Sequence, residues 1–436
     1  MINELKNKKI SAISLGCDKN RVDLEHMLGA LADFGFEIIS DINEAQIIIV
    51  NTCAFITPAT MESIENILLA TKLKQKKCEK VIVTGCINER YYEDIKNQFP
   101  EVDAFLKVKD NEDIIKVIYN LYEIPIKDRF KNEGRLLTTP SHYAFLKIAD
   151  GCNNGCAYCT IPRIRGRYKS IPIDELVKEA KLLAQRGVKE LIIVAQDITR
   201  YGEDLYGKFM LIPLLEKLTK IKDIKWIRLH YLYPEMINDE LLTYIYENEK
   251  ICKYLDIPLQ HIDDKILHEM NRRCDEKQTR ELINNIHKKY PKFVLRSTFI
   301  VGFPGETKKQ FNNLVSFIEQ NPMHNVGFFP YYREDKTKAY YLKQVPKYKK
   351  QKRLKKILKV QKYVSDELNK KRIGEVVEAV VDYYDENLGC FIARDQFSSP
   401  QVDFYIKLKD NNLVVGQFYN VKIIDYIDDE FEGEIV

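Results

Sequence analysis

Cys152, Cys156 and Cys159 form a C-x-x-x-C-x-x-C run within Asp150-Gly151-Cys152-Asn153-Asn154-Gly155-Cys156-Ala157-Tyr158-Cys159. Three thiolates this close suit an iron–sulfur cluster with three protein ligands, one iron being left open to a substrate or cofactor. The alternative is a structural zinc site. Zinc in such sites prefers four protein ligands, and no fourth Cys or His lies close by, the nearest upstream candidate being His142. A second triplet is dispersed. Cys17 follows Ile13-Ser14-Leu15-Gly16, Cys53 follows Ile48-Ile49-Val50-Asn51-Thr52, and Cys86 follows Val83-Thr84-Gly85. Each of these preceding runs is strand-like. Open α/β sheets bind ligands at the carboxyl ends of their strands, so three thiols far apart in sequence are expected to converge on one edge. Spacing alone leaves open that they are buried free thiols, since cysteine is commonly buried. Cys78, Cys252, Cys274 and Cys390 show no tight spacing and are expected to be core or surface thiols.

The elements that must position these residues follow from the hydrophobic pattern. Residues 1–125 are expected to alternate strand 9–15, a helix near 21–34, strand 45–50, a helix near 58–74 and strand 80–84, the pattern of a parallel α/β sheet. The polar stretch 126–141, with Lys, Arg, Asn, Gly and Pro, is expected to be a linker. A second alternation begins with strand 144–149. It continues through strands 190–195, 226–229, 254–257, 293–300 and 326–331, with helical stretches such as 173–186 and 278–289. About six β/α units predict a complete or partial barrel, and Cys152 follows its first strand, on the face where barrel chemistry normally sits.

Other polar residues end these strands. Gln196-Asp197 either closes an active site or caps the following turn, which is common for Asp. The glycines of Gly302-Phe303-Pro304-Gly305 allow close backbone approach to a ligand, and tight-turn geometry explains them equally well. His230 and His261 are left unassigned, because a lone His is more often a packing residue than a ligand.

Residues 343–372 are expected to form a Lys-rich helix with a partial apolar stripe of Leu354, Leu358, Val364 and Leu368. Thirteen Lys and Arg against Asp366 and Glu367 give it a net charge of +11. The basic face is expected to be solvated, as charge runs usually are. Residues 373–436 change character. Strand-like runs 376–383, 390–393, 404–408 and 419–424 separated by polar turns predict a small OB-like β-barrel. It carries 14 Asp and Glu against Arg394, Lys407, Lys409 and Lys422, a net of −10. That charge is either a solubilising surface or a dock for a basic partner. An RNA-binding barrel is expected to have the opposite sign.

Composition excludes several classes. Lys plus Arg (68) and Asp plus Glu (64) nearly cancel at +4, so the whole molecule is not a strong polyanion binder. Residues 1–15 lack the apolar core of a signal peptide, and no apolar run approaches the roughly 20 residues of a membrane span. The expected location is the cytoplasm, where ten cysteines argue for metal ligands or reactive thiols rather than disulfides.

Over nearly its whole length and in the right order, the chain resembles the radical S-adenosylmethionine methylthiotransferases. Cys17, Cys53 and Cys86 match that family's separated N-terminal cysteines. Cys152, Cys156 and Cys159 match its radical loop, with Tyr158 at the usual aromatic position. Ile161-Pro162 and Arg165-Gly166 resemble the I-P-x-x-R-G continuation, and Phe299-Ile300-Val301-Gly302-Phe303-Pro304-Gly305-Glu306 resembles a further family run. Within the family the chain looks most like the branch that modifies an aspartate of small-subunit ribosomal protein 12. The supporting residues are Ser14-Leu15-Gly16-Cys17-Asp18-Lys19-Asn20-Arg21-Val22-Asp23, Gln196-Asp197-Ile198-Thr199-Arg200-Tyr201-Gly202 and Asp204-Leu205-Tyr206-Gly207. Ser399-Pro400-Gln401-Val402-Asp403 is similar to the branch's A-P-E-V-D-G segment but departs at Phe404, where that segment has glycine. Gly155 sits where many relatives carry a larger residue.

The resemblance implies an α/β multidomain chain. Its parts would be an N-terminal parallel α/β domain (1–125), a linker (126–141), a radical partial β/α barrel with its basic helix (142–372) and a small all-β TRAM barrel (373–436). It implies two 4Fe-4S clusters, on Cys17, Cys53 and Cys86 and on Cys152, Cys156 and Cys159. S-adenosylmethionine would be both methyl donor and radical source, with Tyr158, Gln196, Ile300 and Gly302 as its contacts. The implied reaction abstracts a β-carbon hydrogen from the target aspartate and joins a methylthio group to that carbon. The implied partners are ribosomal protein 12, free or in the ribosomal subunit, and an electron donor such as flavodoxin or ferredoxin. Nucleic acid is a partner only if the ribosome is the substrate. No protein acid or base is assigned. Two other functions are weighed: a tRNA adenosine methylthiotransferase, and a non-catalytic iron–sulfur electron carrier, against which the open iron argues.

Overall fold

The computed structural model describes residues 5, 7–125, 134–410 and 412–436. The expected linker 126–141 lies outside them over 126–133. The chain divides into two compact units. The first comprises the described part of Met1–Thr138 with Asp150–Asn153 and Cys159–Tyr168. The second comprises Thr139–Ala149, Asn154–Tyr158 and Lys169–Val436.

The first unit is built on a five-stranded parallel sheet of β1 (Lys9–Ser14), β2 (Glu37–Ile38), β3 (Ile47–Thr52), β4 (Lys80–Gly85) and β5 (Ala104–Phe105), in the order β2-β1-β3-β4-β5. Side chains alternate between faces along a strand, and both faces here are covered. Ile10, Ile47, Ile49 and Ile82 pack with Leu24, Met27 and Leu31 of helix Asp18–Phe34 and with Ile114 and Ile118. Ile48, Val50, Val81 and Val83 pack on the other face with Ile67 and Ala70 of helix Thr57–Lys72. That two-sided burial is why β3 is apolar without alternation. Each fully buried Ile contributes about 1.5–3 kcal/mol.

In the second unit, β6 (Tyr143–Lys147) opens an all-parallel sheet. The two-residue strands β7 (Ala149–Asp150) and β8 (Lys169–Ser170) follow it in the chain and bracket the cysteine loop. Then come β9 (Glu190–Val194), β10 (Trp226–Leu229), β11 (Ile251–Asp256), β12 (Val294–Val301) and β13 (Asn325–Pro330). The order β13-β12-β11-β10-β9-β6 makes an open six-stranded sheet, the partial barrel expected. Strand β11 starts three residues before its expected position. Lys253 disguised it: its ammonium is inside, donating to the carbonyls of Ile245, Asn248 and Ile251 at 2.7, 2.6 and 3.0 Å. Burial pushes its pKa down to about 8.

Helix Lys347–Lys370 buries Ile357, Gln361, Val364, Ser365 and Asn369. The expected apolar stripe is therefore rotated: Leu358 is 45 % exposed. Past it, β14 (Val376–Asp385), β15 (Cys390–Asp395), β16 (Ile406–Leu408), β17 (Phe418–Ile427) and β18 (Glu430–Ile435) close into a five-stranded barrel. Strand β18 lies outside the runs that the sequence pattern predicts, because Glu430, Glu432 and Glu434 hide the alternating Phe431 and Gly433. The β17–β18 hairpin turns on Asp428 and Asp429, both at positive φ (50° and 70°), as a two-residue I′-type turn requires.

Within this unit the barrel and the sheet share a buried ionic joint. Glu190 on β9 accepts Arg228 Nε at 2.8 Å and faces Arg394 Nη2 of β15 at 2.5 Å. Arg394 Nε also reaches Asp382 at 2.8 Å, and Asp382 meets His142 Nε2 at 2.7 Å. The Trp226 and Phe418 rings meet edge to face at 4.8 Å. Among the described residues no helix is long and apolar enough to cross a membrane.

Candidate active site

The strands of the first sheet end level. Ser14 lies opposite Asn51, Asn51 opposite Thr84, and Thr52 opposite Gly85. Cys17 caps the N-terminus of helix Asp18–Phe34, Cys53 directly follows β3, and Cys86 opens the short helix Cys86–Arg90 directly after β4. The three thiols therefore gather at one sheet edge. Cys17 and Cys53 flank β1 and β3, the pair at which the strand order reverses and where such sheets bind ligands.

Backbone and polar side chains set this edge. Gly16 has φ +86°, and a Cβ there would lie 2.7 Å from that of Cys53. Asn20 donates to the carbonyls of Leu15 (2.7 Å) and Thr52 (3.1 Å), and Asn51 donates back to Asn20 O (2.7 Å). Ser63 clamps Cys53, accepting its N–H and donating to its carbonyl. Cys53 and Cys86 are buried and Cys17 half-buried. Burial pushes the Cys53 thiol up and the Cys86 thiol to about 12. Bare thiolates are thus costly here, and cationic metal would stabilise them. Two buried cysteines and one half-buried, all free of disulfides at one sheet edge, fit a cluster held by three protein ligands. Among the described residues no three His, Cys, Asp or Glu donors close up as they do around a single ion.

The second triplet lies in the loop between β7 and β8, and its residues are divided between the units. In the first unit, Cys152 N–H donates to Gly166 O (3.2 Å), and Ile161 N–H donates to Cys159 Sγ (3.4 Å). Arg165 is the organising residue. Its Nη1 contacts Asp23 at 2.5 Å and Asp150 at 2.9 Å, while Nη2 donates to Asn20 Oδ1 at 3.0 Å and points at Cys86 Sγ, 3.8 Å away. Burial opposes its charge, but Asp23 and Asp150 outweigh burial and hold its pKa well above the ordinary arginine value. One guanidinium therefore ties residue 150, two positions before Cys152, to the edge carrying Cys17 and Cys86.

In the second unit, Asn154 donates to Asp197 Oδ2 at 2.9 Å, and Asp197 Oδ1 accepts the Thr199 N–H at 3.0 Å. Asp197 thus caps the turn after β9 and braces the loop at once. Burial raises its pKa. Arg272 Nη1 lies 3.8 Å from Cys156 Sγ, its Nη2 donates to Pro258 O at 2.9 Å, and it stacks over the Tyr233 ring at 4.5 Å. Tyr158 and Ile300 both flank an apolar cluster of Ala157, Ile266, Met270, Phe303, Tyr331 and Ala339. Gln196 follows β9 and Gly302 follows β12, both at carboxyl ends of the parallel sheet. Gly302 has φ +72°, gives its N–H to the Glu306 carboxylate, and leaves no room for a Cβ, which would meet Lys350 Cγ at 2.5 Å. His230 Nε2 bonds Ser399 Oγ at 3.0 Å, and His261 Nδ1 accepts from Asp263 N–H at 3.0 Å.

Sequence reasoning missed the roles of Arg165, Arg272, Asn20 and Asn51. Arg165 carried a signal, its place in the I-P-x-x-R-G run. Arg272 carried none, because its proximity to Cys156 is made by the fold across 116 positions.

Residues 146–318 match the radical SAM superfamily, 9–107 an uncharacterized protein family (UPF0004), and 373–436 the TRAM domain. The ribosomal protein uS12 methylthiotransferase RimO of Thermoanaerobacter sp. is 41% identical over 437 residues, covering 98% of this chain and 100% of that protein. The proteins of that name from Caldicellulosiruptor saccharolyticus and Clostridium novyi are each 43% identical, covering 98% of this chain and 100% and 98% of their own lengths. Among solved structures, the radical S-adenosylmethionine methyltransferase TsrM from Kitasatospora setae, with cobalamin and a 4Fe-4S cluster bound, superposes with TM-score 0.55 at 14% identity over 76% of this chain and 77% of that one. The cobalamin-dependent S-adenosylmethionine radical enzyme OxsB gives 0.53 at 11% identity over 83% and 57%. These two likenesses concern the fold alone. Identity above 40% across the full length of the first group is another matter, and this chain belongs to the ribosomal protein uS12 methylthiotransferase family.

Proposed function

We propose that this protein is a radical S-adenosylmethionine methylthiotransferase that β-methylthiolates an aspartate of ribosomal protein uS12. The carrying observation is Arg165, whose contacts with Cys86, Asp23 and Asp150 tie the first cysteine edge to the start of the radical loop. Cys152, Cys156 and Cys159 would hold one 4Fe-4S cluster, which would supply the electron for reductive cleavage of S-adenosylmethionine, and Cys17, Cys53 and Cys86 would hold a second, which would carry the sulfide to be methylated. Arg272 and Arg165 each set a positive charge beside a cysteine ligand. Asp197 and Asn154 hold the radical loop in place. Tyr158, Gln196, Ile300 and Gly302 contact S-adenosylmethionine. In this reading 1–125, 142–372 and 373–436 are the three functional domains, 126–141 linking the first to the second, the enzyme works in the cytoplasm, and a flavodoxin or ferredoxin supplies electrons.

The acidic barrel supports a basic protein substrate over tRNA. Glu378, Asp382, Asp395, Asp403, Asp429 and Glu430 are engaged in ion pairs. Asp385, Glu386, Asp410, Asp425, Asp428 and Glu434 form none among the described residues, and they repel phosphate. The test is mass spectrometry of uS12 from cells with and without this gene. A methylthio increment on one aspartate, lost on deletion, is expected. An unchanged mass, with the increment on tRNA adenosine instead, overturns the reading.

A further inference from the structure

We propose that one face of helix Lys347–Lys370 docks the phosphate backbone of RNA. The inference rests on the reading of uS12 as target, because a ribosomal protein in its assembled subunit is surrounded by RNA.

The face is defined by spacing. Lys352, Lys355, Lys359 and Lys362 recur at intervals of three and four residues and so lie in one stripe, about 15 Å long at 1.5 Å per residue. Tyr348 and Tyr363 share that side, each 69 % exposed. The opposite face is the buried one, with Ile357, Gln361, Val364 and Ser365, so the apolar side is already covered and the helix is not a membrane-surface amphipath.

A merely solvated helix does not require this composition. Soluble surfaces intersperse both signs, and like charges at these intervals destabilise a helix. Residues 343–365 contain no Asp or Glu at all. Part of the basic set has internal work. Lys350 donates to Tyr331 O at 2.7 Å, Arg353 pairs with Glu306 at 3.1 Å, and Lys362 pairs with Asp429 at 2.7 Å. Lys352, Lys355 and Lys359 are exposed and form no ion pair or hydrogen bond among the described residues. They are left for a partner. Polyphosphate matches their charge, and exposed tyrosines offer faces on which bases stack. An acidic peptide would match the charge but leave the tyrosines without a role.

The experiment compares full-length wild type, Lys352→Gln/Lys355→Gln/Lys359→Gln, and a control with equal charge loss, Lys208→Gln/Lys220→Gln/Lys222→Gln. Binding of small-subunit ribosomal RNA is measured from 50 to 200 mM salt. Glutamine preserves helix propensity, and circular dichroism verifies folding. Each lost phosphate contact lowers the log–log salt slope by about 0.7–0.9. The stripe variant should therefore lose about 2 slope units and roughly tenfold or more in affinity at 50 mM salt, while the control stays near wild type. Equal weakening of both variants, no RNA binding by wild type, or equally tight binding of polyglutamate each overturns the proposal. Methylthiolation of isolated uS12 is followed in parallel and should be the same in all three proteins. If wild type modifies uS12 neither isolated nor within the small ribosomal subunit, the functional reading fails independently of the RNA result.

Discussion

Arg165 Nη2 lies 3.8 Å from Cys86 Sγ, although the two residues are 79 positions apart. The contact makes an arginine of the radical-loop continuation part of the surroundings of the other triplet. Arg165→Met should be severe, because it strands the Asp23 and Asp150 carboxylates near a buried edge. Removing one partner of a buried ionic set costs about 3–5 kcal/mol. Arg165→Lys keeps the charge but not the forked geometry and should recover only part of that. Denaturant midpoints of the three proteins check this, and equal midpoints would show the arginine to be dispensable to the fold.

Replacing Cys152, Cys156 and Cys159 with Ala should leave about half of roughly eight irons per chain and abolish S-adenosylmethionine cleavage. Replacing Cys17, Cys53 and Cys86 should also halve the iron yet retain cleavage, and stop sulfur insertion. Anaerobic iron analysis with deoxyadenosine quantification reads both. Normal methylthio product from the second variant would reassign the first triplet to a structural role.

The buried joint of Glu190, Arg228 and Arg394 should make the barrel and the six-stranded sheet unfold together. Burial opposes the Glu190 charge, but Arg394 and Arg228 outweigh it and hold its pKa below the usual range. Arg394→Met should lower stability by about 3–5 kcal/mol. It should also split one unfolding transition into two, seen by following Trp226 fluorescence beside far-UV circular dichroism. Coincident, unshifted transitions would contradict the coupling.

His324 gives a pH dependence with a definite sign. Burial, aided by Arg372 and His287, pushes its pKa down to about 4, against an unfolded value near 6.5. Between those values the unfolded chain binds more protons, so stability should fall as pH drops from 6.5 towards 4. His324→Asn should flatten that limb. Urea midpoints at several pH values in this window provide the measurement, and parallel profiles for the two proteins would rule His324 out.

For the barrel, charge reversal is informative only at acids without internal partners. Asp429 and Glu430 are bound to Lys362 and Lys407, so reversing them would damage the hairpin. Glu386→Lys/Asp410→Lys/Glu434→Lys should slow association with uS12 and weaken its salt dependence, since surface charge acts mainly on the on-rate. An unaltered rate at low salt would leave the barrel's charge a matter of solubility.

Much of this was legible in the sequence because apolar runs and cysteine spacing are local signals. Ile48-Ile49-Val50 announces a buried parallel strand, and Cys53 follows it immediately. What stayed hidden is polar matter turned inward. Lys253 interrupts the apolar reading of β11 although its ammonium is satisfied by three carbonyls. The glutamates of β18 mask an alternation that only barrel closure makes sensible. Leu358 looked like core and is exposed, because packing chose a face offset from the one hydrophobicity alone marks. Arg272 and Cys156 meet only through the tertiary fold.

The level ends of β1, β3 and β4 have a consequence for what the chain tolerates. A residue added within a strand advances everything after it by about 3.3 Å and turns it to the opposite face of the sheet. One such insertion in β3 would carry Cys53 out of line with Cys17 and Cys86 while leaving every residue type intact. Extra residues in the connections after helices Asp18–Phe34 and Thr57–Lys72 would be absorbed at the surface. The cysteine-bearing edge is thus specified as much by three strand lengths as by three cysteines, and a scan of single insertions should show silent connections beside intolerant strands.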